Sequence, residues 1–83
     1  MAKKKKQITD LQRIGINIRR LREAQELSRA QLAFEIETTE RQLSRIESGE
    51  INSGIMTFIR IARVLDIPFS EILKKIHLPK NKI

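Results

Sequence analysis

The sequence predicts an all-α fold, a compact bundle of five helices, and three observations carry that prediction. Apolar residues recur at helical spacing, as in Leu11, Ile14, Ile18 and Leu21. Side chains able to cap a helix stand directly before such runs, with Ser28 and Thr39 the clearest. No stretch alternates apolar and polar residues as a half-buried strand does, and no internal repeat is present.

Each element follows in order. Residues 1–7 form a charge run without periodicity and read as a disordered basic arm. The domain itself spans 8–77. Its first helix starts at Thr9 or Asp10 and fades near Gln25. The second runs over about 29–36 and the third over about 40–48, ended by Gly49 in the position of a left-handed C-terminal residue. Asn52 or Ser53 caps a fourth helix whose apolar stripe is Ile55, Phe58, Ile61, Ala62 and Leu65. Asp66-Ile67-Pro68 stops it, because proline disfavours helical geometry at the residue before it. Ser70 caps a fifth helix carrying Ile72, Leu73 and Ile76, with Lys74 and Lys75 near the negative end of its dipole. Residues 78–83 read as a flexible tail.

Composition excludes several classes of function. Eighty-three residues fit one small domain with a limited core. Without cysteine there is neither a disulfide framework nor a thiolate zinc site, which fits a cytoplasmic setting. No apolar run approaches the roughly 18 residues needed to span a bilayer, and no apolar signal segment follows the lysine-rich start. His77 stands alone and reads as a helix-end residue, not a metal ligand. A second histidine, a glycine-rich phosphate loop and an unpaired carboxylate couple are all missing, so the chain does not read as an enzyme and no cofactor is expected. Neither a membrane partner nor a small-molecule effector is expected.

The net charge of +7 suggests a polyanionic partner, but its distribution qualifies that. Residues 1–6 carry four lysines and residues 71–83 a balance of +3, whereas residues 7–70 hold nine arginines against nine acids. The position of the arginines must therefore decide.

Leu32, Ala33 and Ile36 form one apolar face, and Leu43 and Ile46 another. Two such faces packed at a steep angle leave the third helix standing out from the body, a shape suited to the DNA major groove. On a helical wheel of about 100° per residue, Arg41 and Ser48 lie opposite the mean direction of Leu43 and Ile46. Ser44 and Arg45 flank that outward line by about 50° on either side, and Thr39 and Glu40 occupy the helix start. Arginine can bond guanine O6 and N7 together, serine suits several targets, and Glu40 can accept from a cytosine amino group.

At this point the chain resembles the phage-repressor and Cro type of helix-turn-helix protein. The resemblance covers about residues 14–73 and rests on an ordered set of motifs: Ile14-Gly15-x-x-Ile18-x-x-Leu21-Arg22, Leu27-Ser28-x-x-x-Leu32-Ala33, Leu43-Ser44-Arg45-Ile46-Glu47-x-Gly49 and Phe58-x-x-Ile61-Ala62-x-x-Leu65. It implies a fold in which helices 2 and 3 form the helix-turn-helix. It also implies base and backbone contacts from Thr39, Glu40, Arg41, Ser44 and Arg45, and a phosphate contact from Arg29. Two positions depart from the pattern: Glu37 and Glu26 stand where the family frequently has glycine. The turn either holds Glu37 in the left-handed region, at a strain of about 1–2 kcal/mol, or takes another shape.

Arg22 and Glu47 lie beside the apolar stripes of their helices, about 60–70° from the stripe centres. The resemblance implies that they pair as a structural salt bridge between the first and third helices. Lys3, Lys4, Lys5 and Lys6 read either as an arm that contacts DNA phosphates or enters the minor groove, or as a solvated tail.

Met56, Ile59, Val64, Ile72, Ile76 and Leu78 exceed what one small core absorbs, and such an excess marks an interface unless the fifth helix folds back over it. The expected assembly is a two-fold homodimer through the fourth and fifth helices, with Ile59, Ile72 and Ile76 at its centre. The expected function is that of a sequence-specific, double-stranded-DNA-binding transcriptional regulator acting on an inverted-repeat operator. Cro-like repressors and restriction–modification controller proteins are the stand-alone regulators it resembles. The alternative is an antitoxin-type module that neutralises a partner toxin through its apolar surface.

Overall fold

The computed structural model describes residues 7–77 and contains α1 (Asp10–Ala24), α2 (Arg29–Glu35), α3 (Glu40–Glu47), α4 (Ile55–Leu65) and α5 (Phe69–Ile72). No strand occurs among the described residues. Lys3, Lys4, Lys5, Lys6 and Leu78, to which the sequence assigns contacts or packing, lie outside them.

Hydroxyl side chains start the first three helices. The Thr9 hydroxyl accepts from Gln12 N–H at 3.1 Å, while the Gln12 side chain accepts from Thr9 N–H at 2.9 Å. Ser28 and Gln31 repeat this reciprocal pair at 3.0 and 2.7 Å, and Thr39 accepts from Gln42 N–H at 3.0 Å. Each such bond satisfies a backbone donor that the helix itself leaves free.

The last two helices begin differently from the sequence expectation. Neither Asn52 nor Ser53 caps α4, which opens on Gly54 at φ 92° without a side-chain cap. Asn52 accepts instead from Gly54 N–H at 3.1 Å, so its oxygen shapes the approach to the helix. Pro68, not Ser70, is the N-cap of α5. Because α5 ends at Ile72, Leu73, Ile76 and His77 lie beyond it, and His77 is not a helix-end residue. Lys74 pairs with Glu71 at 3.2 Å on the surface.

Helices α1 to α4 all end through one device. Glu26, Glu37, Gly49 and Asp66 take φ values of 59°, 61°, 77° and 55°. The residue after each donates to a carbonyl five positions back: Leu27 to Arg22, Thr38 to Ala33, Glu50 to Arg45 and Ile67 to Ala62, at 2.9–3.1 Å. Helix ends closed in this way favour glycine, yet only Gly49 is one. Glu37 therefore keeps the left-handed turn despite its side chain. Glu37→Gly should relieve about 1–2 kcal/mol of strain while adding about 0.4–1 kcal/mol of unfolded-state freedom. A net gain of about 0.5–1 kcal/mol should appear as a rise of several degrees in Tm, and Glu26→Gly should behave alike. A thermal melt showing loss of stability would mean that these glutamates hold compensating contacts.

The core joins all five helices. Leu32 and Ala33 of α2, Ile36 at its end, and Leu43 and Ile46 of α3 are buried against Ile18 of α1, Phe58, Ile61, Ala62 and Leu65 of α4, and Ile72 of α5. Ile55, first of the α4 stripe, is instead exposed, at 57%, beside Met56 at 56%.

Ile72 requires a correction. The sequence places it in an intermolecular surface, but it is fully buried, at 0% exposure. The physical reason is that α5 folds back against α1 and α4, so its apolar side chain enters the same core. Asn17, buried in α1, fastens this arrangement by donating from Nδ2 to the carbonyls of Ile72 and Lys74, both at 2.8 Å. A substitution at Ile72 therefore tests the core and not an interface.

Two glycines set the spacing of α1 and α3. At Gly15 a Cβ would lie 2.2 Å from the Glu47 carbonyl oxygen, so only glycine lets these backbones meet. At Gly49 a Cβ would lie 2.6 Å from Gln12 Cα, and its φ of 77° is left-handed as well.

Candidate nucleic-acid interface

Burial of Leu43, Ile46 and Glu47 fixes the rotation of α3. Its other side then presents Glu40, Arg41, Arg45 and Ser48 to solvent, with Ser44 half-buried between them and Thr39 exposed at the helix start. The five residues expected to contact bases thus share one short helix and its cap. Arg41 forms no salt bridge among the described residues. Arg45 has its Nε 3.4 Å from a Glu50 carboxylate oxygen, with both side chains about half exposed. Exposed pairs of that kind contribute at most about 1 kcal/mol, so Arg45 can exchange Glu50 for another acceptor. Glu40 stands in the first helical turn, where the positive end of the dipole favours a carboxylate.

Below this face lies an ionic cluster. Arg22 Nε donates to Glu47 Oε2 at 2.7 Å, and Arg22 Nη2 donates to Glu47 Oε1 at 3.0 Å. Arg22 Nη1 also donates to the Leu27 carbonyl at 2.9 Å. Both side chains are buried, and this two-bond fork is the geometry in which arginine and carboxylate bind best. The hydrogen bond from Arg22 to Glu47 raises the guanidinium pKa, burial lowers it, and the Glu47 charge raises it further; the net direction is upward. Arg22 therefore stays charged at any working pH.

Arg29, the first residue of α2, is half-buried and reaches the same carboxylate, with Nε 3.3 Å from Glu47 Oε1. Sequence reasoning does not foresee this link. The two residues are far apart in the chain, and an arginine at a helix start gives no local sign of its partner. The charged cluster and the exposed α3 face meet at Glu47, the last residue of that helix.

Residues of α4 and α5, with Leu11 and Ile14 of α1, bound two apolar grooves. Ile59, Ala62, Ile67 and Phe69 line one with Arg63 and Asp66. Leu11, Ile14, Ile55, Phe58, Phe69 and Leu73 line most of the other. Phe69 lines both. Of the residues expected at an interface, Ile59 lines the first groove, Ile76 is half-buried and lines neither, and Ile72 is buried.

A helix anchored by Leu32 and Ala33, followed through a tight left-handed turn by a helix with an exposed, arginine-bearing face, defines a helix-turn-helix domain. A family model described as helix-turn-helix (HTH_3) matches residues 18–72, and the chain belongs to that family. Among solved structures, the restriction-modification controller protein C.AhdI from Aeromonas hydrophila is 32% identical. Its TM-score is 0.73, over 76% of this chain and 96% of its own. An HTH_3 family transcriptional regulator from Vibrio cholerae is 30% identical with a TM-score of 0.69, over 77% of this chain and 38% of that one. The clp gene regulator ClgR from C. glutamicum has a TM-score of 0.77 over 81% of this chain and 87% of its own. At 16% identity that likeness is one of fold alone. No curated protein sequence matches the chain.

Proposed function

We propose that this protein is a sequence-specific DNA-binding transcriptional regulator that acts in the cytoplasm as a homodimer on an inverted-repeat operator. The observation that carries the reading is the α3 face, where Arg41 is free of ion pairs among the described residues and Arg45 is held only by an exposed one. In this reading Arg41 and Arg45 bond guanine edges, Thr39, Glu40 and Ser44 complete the base and backbone contacts, and Arg29 meets a phosphate. The likeness to a restriction-modification controller protein, matched over 96% of that protein's length, supports a transcriptional regulator.

A helix as short as α3 touches few base pairs alone, which favours two copies. The grooved surface bearing Ile55, Ile59 and Phe69 supplies an apolar face for a second copy. Two-fold pairing there presents two α3 helices to successive major grooves, with half-sites about 10–10.5 base pairs apart.

Selection of bound duplexes from a random pool tests this directly, and an inverted repeat is the expected product. Arg41→Ala and Arg45→Ala should each weaken binding to the selected duplex by about 1–3 kcal/mol, with little effect on a scrambled one. Unchanged affinity and preference in both variants would remove α3 as the reader. Ile59→Glu should remain folded by circular dichroism, sediment as a monomer and lose most operator binding. A parent protein that is monomeric at high micromolar concentration, with a single half-site footprint, would refute the dimer.

A further inference from the structure

We infer that Glu47 positions Arg29 for the DNA backbone, so that one buried carboxylate both locks Arg22 and presents a second guanidinium to phosphate. The inference rests on the reading of Arg29 as a phosphate contact.

The hydrogen-bond geometry carries it. Glu47 Oε2 is occupied by Arg22 Nε at 2.7 Å, while Oε1 is shared between Arg22 Nη2 at 3.0 Å and Arg29 Nε at 3.3 Å. A guanidinium is a rigid fork with five donors. Holding Arg29 by Nε leaves its two terminal amino groups open, and neither has a hydrogen-bond partner among the described residues. That open edge can bind a phosphate through two parallel bonds. With its side chain 33% exposed, Arg29 is anchored through Nε and still reaches solvent.

The charges agree. Two guanidinium groups around one carboxylate leave a single positive charge, so Glu47 holds Arg29 without cancelling the attraction of the cluster for phosphate. A free arginine loses rotamer freedom when it grips a phosphate, whereas one already held has lost much of it beforehand. The anchor also fixes distance. Glu47 ends α3, Arg29 begins α2 and Arg22 lies in the last turn of α1, so the backbone contact and the reading helix share one reference point.

The test is a double-mutant cycle in the full chain, with binding to the selected duplex and to a scrambled duplex measured across salt concentration. Arg29→Ala should lower affinity on both duplexes and reduce the salt slope by about 0.9. Glu47→Gln keeps the side-chain shape but offers one acceptor oxygen, which Arg22 retains. In a folded protein it should weaken binding about two- to tenfold, and this loss should vanish in the Arg29→Ala background. Equal losses in both backgrounds would reduce Glu47 to a structural role and overturn the positioning, as would tighter binding by Glu47→Gln. An unchanged slope in Arg29→Ala would instead remove the phosphate reading itself. If Glu47→Gln does not fold, Arg29→Lys decides. A single ammonium cannot bond Glu47 and grip a phosphate through two donors, so affinity should fall several-fold while the salt slope stays. A lysine variant binding like the parent would overturn the proposal.

Discussion

Glu47→Ala should leave a substantial fraction of the protein unfolded near body temperature. The substitution removes both oxygens that hold Arg22, which is 5% exposed in the parent, and leaves its guanidinium only the Leu27 carbonyl. Breaking one side of a buried pair costs about 3–5 kcal/mol, because the remaining charge is stranded away from water. Domains of this size hold net stabilities toward the lower end of about 5–15 kcal/mol, so such a loss is a large share of the total. Removing both charges together is a different experiment. Arg22→Met with Glu47→Leu should recover most of the stability, since a buried pair adds little over well-packed apolar residues. The pair should also be insensitive to pH near neutrality. A guanidinium whose folded pKa is raised contributes stability that is fully present below its unfolded value and is lost only as pH climbs through the folded one, far into alkali. Thermal and urea melts check each point. A Glu47→Ala protein that melts with the parent would show that Arg22 finds another partner or reaches solvent.

The chain discloses its helices where local chemistry controls them. Ser28 and Thr39 cap as hydroxyls before apolar runs do, and the stripes of α1 to α4 follow the helical period closely enough to place Ile18, Leu32, Leu43, Ile61 and Leu65 in the core. The exposed face of α3 is legible for the same reason, because the apolar Leu43 and Ile46 already mark its inner side. What stays hidden is decided by partners distant in sequence. Asn17 looks like an ordinary polar residue of α1, and only the carbonyls of Ile72 and Lys74 give it a buried role. Ile72 itself could face a second copy or the core, and the fold-back of α5 settles that. Neither α4 nor α5 begins on a capping side chain, which is why their starts are misplaced in a reading that depends on caps. Glu26 and Glu37 show helix-end closure overriding residue preference, since both occupy left-handed turns that glycine would suit better.

Gly15→Ala should destabilise the domain by about 2 kcal/mol or more, although it adds only a methyl group. The new Cβ would stand 2.2 Å from the Glu47 carbonyl oxygen, 2.6 Å from the Glu47 carbonyl carbon and 2.7 Å from the Ile46 carbonyl oxygen. All three are backbone atoms, so no flexible side chain can swing away. Overpacking usually costs about 1–3 kcal/mol, and a contact between two helix backbones belongs at or above the top of that range. The better helix propensity of alanine returns about 1 kcal/mol at most. To relieve the clash α1 must retreat from α3. It then carries Arg22 away from Glu47, because Gly15 and Arg22 lie on α1 and both face the end of α3. Gly15→Ala and Glu47→Ala thus damage one contact by two routes, and their combination should cost clearly less than the sum of the separate losses. Circular dichroism melts of the two single variants and the double variant measure this. Additive losses would show that the close approach at Gly15 and the ion pair hold α1 to α3 independently. A Gly15→Ala protein as stable as the parent would show that α1 can shift without cost.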